Sequence, residues 1–292
     1  MSNKISFVNN KGGSGKTTTV VNVAGVIHQL YPSQKILIVD VDAQGNASRA
    51  FGLDNEKDVD NDYTMYQVFL ENLNPKKAVI KNVGDNQNID LIPSSLDLNF
   101  LEFDEIKMIN QNHTFRNTFD FTEFYFDNLK HKFDELDKLY DFILFDTPPE
   151  LKSVTSSVLA ISNSVIIPYE PDAFSIDGVR NMVERIQEIQ EQFNPNLKIA
   201  GFLTTKYNQR SVPDREYVDV IHTYAKALDF PIINTKIPYS VRYRHANGYM
   251  PVTLMIKNLQ SIYNDRNKAI KAYFDLVDEL IKQKVITINQ TR

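Results

Sequence analysis

Residues 11–18 read Lys11-Gly12-Gly13-Ser14-Gly15-Lys16-Thr17-Thr18 and follow closely on the apolar run Ile5-Ser6-Phe7-Val8. Glycines at 12, 13 and 15 let backbone N–H groups turn inward and approach an anion closely. A helix starting after them would present its unpaired N-terminal amides to the same anion. In such a loop Lys16 is placed for the β- and γ-phosphates of a nucleotide, and the Thr17 hydroxyl for Mg2+. The plain form of the loop, G-x-x-x-x-G-K-[ST], puts glycine at position 10. This chain has Asn10 there and an additional lysine, Lys11. The bland alternative is a glycine-rich turn with no ligand, and the strand–loop–helix context argues against it.

Two other apolar runs end in carboxylates. Residues 35–39 lead into Asp40, Val41, Asp42, Ala43, Gln44, Gly45 and Asn46. The two aspartates are spaced by two, so both can point to one side of a strand end, and Gly45 permits a tight turn. Alone, a carboxylate at such a strand end reads as a helix cap or a surface charge. Residues 140–149 end in Asp146-Thr147-Pro148-Pro149. Asp146 can hold Mg2+, through water or with the Thr17 hydroxyl. The two prolines stop the strand and stiffen the loop, making it a candidate switch.

These residues need a scaffold that brings strand ends together. Apolar runs predict strands at 4–8, 35–39, 89–92, 142–145, 164–168, 199–204 and 232–235. Several are apolar throughout, as expected when both faces are buried. Helical periodicity falls at 17–30, 175–193, 214–228 and 267–284, within a C-terminal helix spanning about 261–285. Ser175-Ile176-Asp177 is a plausible helix start and Asn194-Pro195-Asn196 a stop. The alternation predicts an α/β fold, a mostly parallel twisted sheet flanked by helices, in one domain over residues 1–292. Acids at 54, 56, 58, 60 and 62 mark a solvated loop. Residues 99–140 form a helical excursion whose Phe119, Phe121, Phe124, Tyr125, Phe126, Leu129 and Phe133 give it an apolar side. That side either packs on the core or meets a partner.

The chain has 292 residues, 42% of them hydrophobic, enough for a sizeable core. Mean hydropathy is −0.34 and no apolar run is long enough to cross a membrane. The first ten residues lack the layout of a signal peptide. With no cysteine, disulfides, thiolate metal sites and cysteine nucleophiles are excluded. Net charge is −5 but uneven: residues 97–141 hold eleven acids against five bases, and 198–250 hold eight bases against four acids. An acidic chain of this kind can still carry a basic face.

The segment 11–18 resembles the deviant phosphate loop K-G-G-x-G-K-T-T of the ParA/MinD family of ATPases, with Ser14 where valine is usual. Residues 40–46 resemble the family's D-x-D-P-Q-G-N, with Ala43 replacing proline, and 146–149 its D-x-P-P. Thr205-Lys206-Tyr207-Asn208 is similar to the MinD-type T-R-Y-N. Ile237, Pro238 and Arg242, then Ala246, Gly248 and Pro251, match the family's I-P-x-x-x-R, A, G, P spacing. The likeness runs from about residue 4 to 255. It implies a P-loop NTPase fold, ATP and Mg2+ as ligands, and slow, partner-stimulated ATP hydrolysis. It implies that Lys11 reaches across a dimer interface to phosphates bound by the other subunit, and that Asp42 lies near the γ-phosphate, the metal's water shell and the attacking water. Asn208 would lie near the adenine and Pro238 would border it; both read equally well as turn residues.

Members of that family divide by what the dimer sits on. ParA-type proteins bind DNA non-specifically and act with a ParB-like centromere-binding protein; MinD-type proteins bind membranes through a basic amphipathic C-terminal helix. Residues 285–292 alternate and are nearly uncharged, unlike such a helix. With the basic excess at 198–250, this favours a ParA-type homodimer, cytoplasmic and nucleoid-associated, with no stable membrane insertion. Lys206, Arg210, Arg242 and Arg244 are candidate DNA contacts, or simply solvate a face. The start at Met1 leaves no room for a helix-turn-helix ahead of the loop. The lack of cysteine removes the nitrogenase iron-protein branch. A metabolic ATP-dependent enzyme would need a second substrate pocket, for which 99–140 is the spare material.

Overall fold

The apolar runs are strands because each is covered on both faces, which continuous hydrophobic sequence requires. The computed structural model describes residues 2–54, 57–111, 123–241, 243, 250–255, 259 and 268–289. In chain order the elements are β1 (Asn3–Phe7), α1 (Lys16–Leu30), β2 (Ile36–Asp40), α2 (Asn46–Ala50), α3 (Met65–Leu70) and β3 (Ile89–Ile92). They continue with α4 (Leu101–Gln111), α5 (Asn128–Leu136), β4 (Phe142–Asp146), α6 (Ser153–Ile161), β5 (Ser164–Tyr169) and α7 (Ala173–Gln192). The last are β6 (Lys198–Tyr207), α8 (Val212–Ala227), β7 (Ile232–Pro238) and α9 (Lys268–Lys282). The seven strands form one parallel sheet in the order β3-β2-β4-β1-β5-β6-β7. All seven expected strands and all four expected helices are present, with ends shifted by a few residues; residues 261–267 of the expected C-terminal helix lie outside the described residues.

Alternate residues along each strand point to opposite faces. Ile36, Ile38, Phe142 and Leu144 join α1 and α9, including Val23, Ile27, Tyr273 and Leu276, in one core. Leu37, Val39, Ile143 and Phe145 face the other way, toward Met65, Val68, Leu129, Phe133 and Val158. Beyond β1, Val165, Ile167 and Tyr169 pack on Val179, Val183 and Ile186 of α7. The 99–140 excursion contributes to the second core: Tyr125, Phe126, Leu129 and Phe133 are all buried. Phe119 and Phe121 lie outside the described residues.

Three local expectations change. Helix α7 starts at Ala173 rather than Ser175, because the Asp172 carboxylate accepts from the Ser175 amide (2.9 Å) and caps it. Helix α6 went unseen since its Thr155, Ser156 and Ser157 are buried like its Val158 and Leu159, which erases the amphipathic period. Helix α3 is only six residues long, and its signal was the capping box of Thr64 and Gln67. At the other terminus, Ile286 is buried and the Thr287 amide donates to the Asn3 side chain (2.9 Å). Asn289 donates to Asp141 (2.8 Å), so residues 285–289 run back along the strand-start end of the sheet.

Candidate functional site

The register sets the three motifs side by side. Asp146 at the end of β4 is paired with Asp40 at the end of β2 and with Phe7 at the end of β1. The chain leaves β1 toward β2 on one side and reaches β5 on the other, so loops diverge here and leave a crevice at the strand ends. The Thr147 hydroxyl donates to the Phe7 carbonyl (2.7 Å), and the Val41 amide to that of Asp146 (2.9 Å), which stitches the three ends together.

Across that crevice runs the loop 9–17. Gly13 and Gly15 have φ of 73° and 90°, a region that a side chain strains. A Cβ on Gly15 would also sit 3.2 Å from the Thr205 methyl. Gly15 caps α1, whose first-turn amides therefore open on the loop. The Asn9 side chain donates to the Pro168 carbonyl (2.6 Å) and accepts from the Lys11 amide (2.8 Å), tying the loop to β5. The Thr205 hydroxyl donates to the Ser14 carbonyl (2.8 Å), tying it to β6. The Ser14 hydroxyl is buried with no partner among the described residues. Gly12 and Gly13 are exposed; Thr17 and Thr18, at the start of α1, are half-buried.

Lys16 is 6% exposed and its ammonium donates to the carbonyls of Asn9 (3.1 Å) and Lys11 (3.4 Å). Burial pushes its pKa down, against the pull of the Asp146 and Asp42 charges. Asp146 is fully enclosed, and neither of its oxygens has a partner in hydrogen-bonding geometry among the described residues. Burial, and then the Asp40 charge, hold its pKa well above the usual carboxylate range, although the Thr17 hydroxyl and Lys16 act the other way. Asp42 is 9% exposed and accepts from the Gln44 amide (3.0 Å). Asp40 does something else. It accepts from the amides of Ala47 and Ser48 (both 3.1 Å) and of Asp42 (3.2 Å), anchoring α2 and the turn that presents Asp42. Strand β2 ends at Asp40, so the alternation that would put both carboxylates on one side stops before Asp42.

The Lys11 ammonium pairs with Asp172 of the same chain, the residue that caps α7. Lys206, with φ of 52°, pairs with Glu170 (3.0 Å), and its ammonium lies 3.6 Å from where a Gly13 Cβ would sit. The structure thus places Lys206 beside the phosphate loop, whereas Arg210 lies exposed in the turn after β6. Asn208 belongs to that turn: its side chain accepts from the Arg210 amide (3.1 Å) and its own amide donates to Asp214 (2.9 Å). Pro238 ends β7 opposite Tyr207, so Asn208 and Pro238 are neighbours across two strand ends. Arg242 and Arg244 lie outside the described residues. Asn9 and Asp172 escaped the sequence reading, and Thr205 entered it only as part of the 205–208 motif. For Asn9 the available signal was a polar pair, Asn9-Asn10, breaking an apolar strand just before the glycines.

These residues fit a magnesium–nucleotide complex. A buried carboxylate with two unsatisfied oxygens, a buried ammonium held by loop carbonyls and a helix N-terminus face one another. Among the described residues no cluster of three or more His, Cys, Asp or Glu is arranged for a metal. Mg2+ needs none, being held by one or two carboxylates together with phosphates. The AAA domain family AAA_31 matches residues 2–199. A ParA family protein of Mycoplasma pneumoniae is 30% identical over 91% of this chain and 96% of its own length. The chain belongs to the ParA/MinD family of P-loop ATPases. The sporulation initiation inhibitor protein Soj of Bacillus subtilis is 26% identical over 94% of this chain and 97% of its own. Among solved structures, cobyrinic acid a,c-diamide synthase of Mycobacterium smegmatis with bound ADP and magnesium aligns with a TM-score of 0.73. Identity to it is 25%, covering 97% of this chain and 96% of that one. In this ParA-like partition ATPase the deviant loop, the Asp42 turn and the Asp146 strand end all fall within residues 2–199. None of the described helices is long and apolar enough to cross a membrane.

Proposed function

We propose that this chain, as one unit over residues 1–292, binds ATP with Mg2+, dimerises on it, and hydrolyses it slowly to ADP and phosphate. The dimer binds DNA without sequence preference and serves plasmid or chromosome partition with a ParB-like centromere-binding protein, in the cytoplasm on the nucleoid. The observation that carries this reading is the meeting of Lys16, Asp42 and the unpartnered, enclosed Asp146 at three adjacent strand ends. Backbone amides of 12–17 and the Lys16 ammonium hold the phosphates; the Thr17 hydroxyl and Asp146 hold the metal. When bound, Mg2+ would supply charge neutralisation to the phosphates. Asp42, held by its own turn, would orient the attacking water toward the γ-phosphorus as the bond to the ADP oxygen breaks. Lys11 exchanges Asp172 for phosphates in the other subunit, so that ATP joins the dimer and hydrolysis opens it. The loop 147–152 is the switch, released with the γ-phosphate.

Asn208 and Pro238 border the adenine, and Lys206, Arg210, Arg242 and Arg244 are the candidate DNA contacts. The placement of Lys206 beside Gly13 favours a phosphate-side role over a DNA contact for that residue. Hydrogen bonding of residues 287 and 289 to the body, with Ile286 buried, leaves the described tail unlike a free membrane-binding helix, which favours DNA over membrane. DNA binding at fixed salt, measured with ATP, ADP and no nucleotide, tests the reading. ATP-dependent, sequence-indifferent, salt-sensitive binding is expected. Protein that dimerises with ATP yet binds DNA under none of the three conditions would overturn it.

A further inference from the structure

At the strand-start end of the sheet a pocket of about 240 Å³ opens where the turn 81–88 meets the beginnings of β2, β3 and β4. Open parallel sheets bind nucleotides at their strand-finish ends, so this recess is separate from the site described above. Two ammonium groups, those of Lys35 and Lys81, line it against one carboxylate, that of Asp90. The carboxylate is fully engaged. One oxygen accepts from the Lys81 ammonium (2.7 Å) and the Tyr140 hydroxyl (2.6 Å), the other from the Asn82 amide (2.9 Å). Lys81 also donates to the Tyr140 hydroxyl (2.8 Å), which leaves the third of its hydrogens unused. The Lys35 ammonium is exposed and pairs with no carboxylate among the described residues. The Asp141 carboxylate is taken up by the Lys35 amide (2.9 Å) and the Asn289 side chain (2.8 Å).

The rim of the pocket is held in place. Asn82 and Asn88 both take left-handed backbone (φ 54° and 69°), which asparagine tolerates better than most residues. The Asn82 side-chain oxygen accepts from the Asn88 amide (3.3 Å), and the Asn88 side chain donates to the Pro32 carbonyl (3.1 Å). With its oxygen fixed, Asn82 keeps an NH2 group that has no partner among the described residues. Leu139 and Tyr140 add an apolar wall, and the Lys81 ammonium lies 5.1 Å from the Tyr140 ring centroid.

We propose that this pocket binds a small organic phosphate, a phosphate monoester on a short carbon chain. The groups left over are mainly donors: the Lys35 ammonium, one Lys81 hydrogen and the Asn82 NH2. Donors beside two ammonium groups call for an anion and exclude a metal cation. The lining has no arginine, and so lacks the planar fork that suits a carboxylate; ammonium groups act as point charges and suit the several oxygens of a phosphate. The volume falls below the range of about 300 to 1,000 Å³ common for pockets that enclose larger ligands. It admits a ligand of a few carbons, whose chain meets Leu139, and excludes a nucleotide.

The probe is glycerol 3-phosphate, titrated calorimetrically into the full chain in the presence of saturating ADP and Mg2+, with glycerol and glycerate as controls. Saturable binding of one molecule per chain is expected, with none for glycerol and binding weaker by about tenfold for glycerate. Lys35→Gln, at a position already in solvent, should weaken binding by about tenfold or more with the melting temperature unchanged. Asn82→Gly, which keeps the left-handed backbone and removes the side chain, should weaken it by about threefold or more. Lys16→Ala should leave it within about twofold, with or without ADP, because the phosphate loop is not the site. That arm also keeps the test independent of the ATPase reading, since it holds even for protein that binds no nucleotide. No saturable binding, binding indifferent to Lys35→Gln, or binding lost in Lys16→Ala overturns the proposal. So does glycerol or glycerate binding as tightly as glycerol 3-phosphate.

Discussion

At the strand-start end of the sheet, Asp90 is 6% exposed and fully engaged. It accepts from the Lys81 ammonium (2.7 Å), the Tyr140 hydroxyl (2.6 Å) and the Asn82 amide (2.9 Å). At the strand-finish end Asp146 is buried more completely, and neither oxygen accepts from any described residue. Both are aspartates on parallel strands of the same sheet. A buried polar group is normally paired, and a missing partner costs the desolvation of that group. Asp90 follows that rule and serves the fold. Asp146 departs from it, and departures of this kind concentrate where a ligand supplies the missing partner.

The comparison breaks most visibly at Asp146 itself. Asp146→Asn should lower ATP hydrolysis by at least about a thousandfold, since it removes charge directed at the metal. The same variant should leave the nucleotide-free protein as stable as the wild type or about 1 kcal/mol more stable, because a buried carboxyl whose charged form burial and the Asp40 charge disfavour is gone. Steady-state phosphate release and a melt in EDTA check the two halves. A loss of stability comparable to the loss of activity would mean that Asp146 is structural after all.

Asp90→Ala should do the reverse. Removing one member of a buried, satisfied network leaves the Tyr140 hydroxyl and Asn82 amide stranded, at a cost of about 3 kcal/mol. ATP affinity of the folded fraction should stay within twofold. Urea denaturation, with nucleotide binding measured below the transition, separates the effects; a strongly weakened ATP affinity would erase the distinction between the two ends.

How much of this was legible beforehand follows the same division. The loop could be read because three glycines followed by Lys16 and Thr17 cluster directly after an apolar strand, and Asp146 because a carboxylate ending an apolar strand is conspicuous. Residues that act through distant contacts could not be read. Asn9 binds Pro168 and Thr205 binds Ser14, 159 and 191 positions away. Asp172 looked like an ordinary loop acid until α7 began one residue after it, with Lys11 on its other oxygen. Asp40 and Asp42 were spaced to share one side of a strand end, yet the end of β2 gave the first an anchoring task and left the second near the Lys16 charge. Lys206 read as a surface base until β6 ran on to Tyr207 and carried it to the phosphate loop.

The two ends should also differ in pH response. Burial foremost, opposed by Ser48 hydrogen bonds and aided by the Asp42 charge, raises the Asp40 pKa to about 7. The folded chain therefore keeps a proton on Asp40 that the unfolded chain has already released. That stabilisation is complete below the ordinary carboxylate range and is lost as pH climbs through about 7. The slope approaches but does not exceed about 1.4 kcal/mol per pH unit between these limits. Nucleotide-free melting in EDTA from pH 5 to 8 should show the decline, and Asp40→Asn should reduce it to the share of Asp146, whose pKa is raised in the same direction. At the other end Asp137 is also pushed up by burial, but the Ser2 hydroxyl and amide outweigh this and set its pKa below the ordinary value. Its contribution is present above the ordinary carboxylate range and disappears only as pH falls through the lowered value, outside the pH 5 to 8 window.

The smallest expected effect concerns the tail. The Asn3 side chain donates to the Thr287 carbonyl (3.0 Å) and accepts from its amide (2.9 Å), both in contact with solvent. Hydrogen bonds that water can replace contribute little, so Asn3→Ala should cost about 0.5 to 1 kcal/mol. Because the pair lies at the strand-start end, turnover should not change, and faster amide exchange should be confined to residues 285–289 and the start of β1. Altered ATP turnover in Asn3→Ala would mean that the two ends of the sheet are energetically coupled, and that the satisfied end does more than hold the fold.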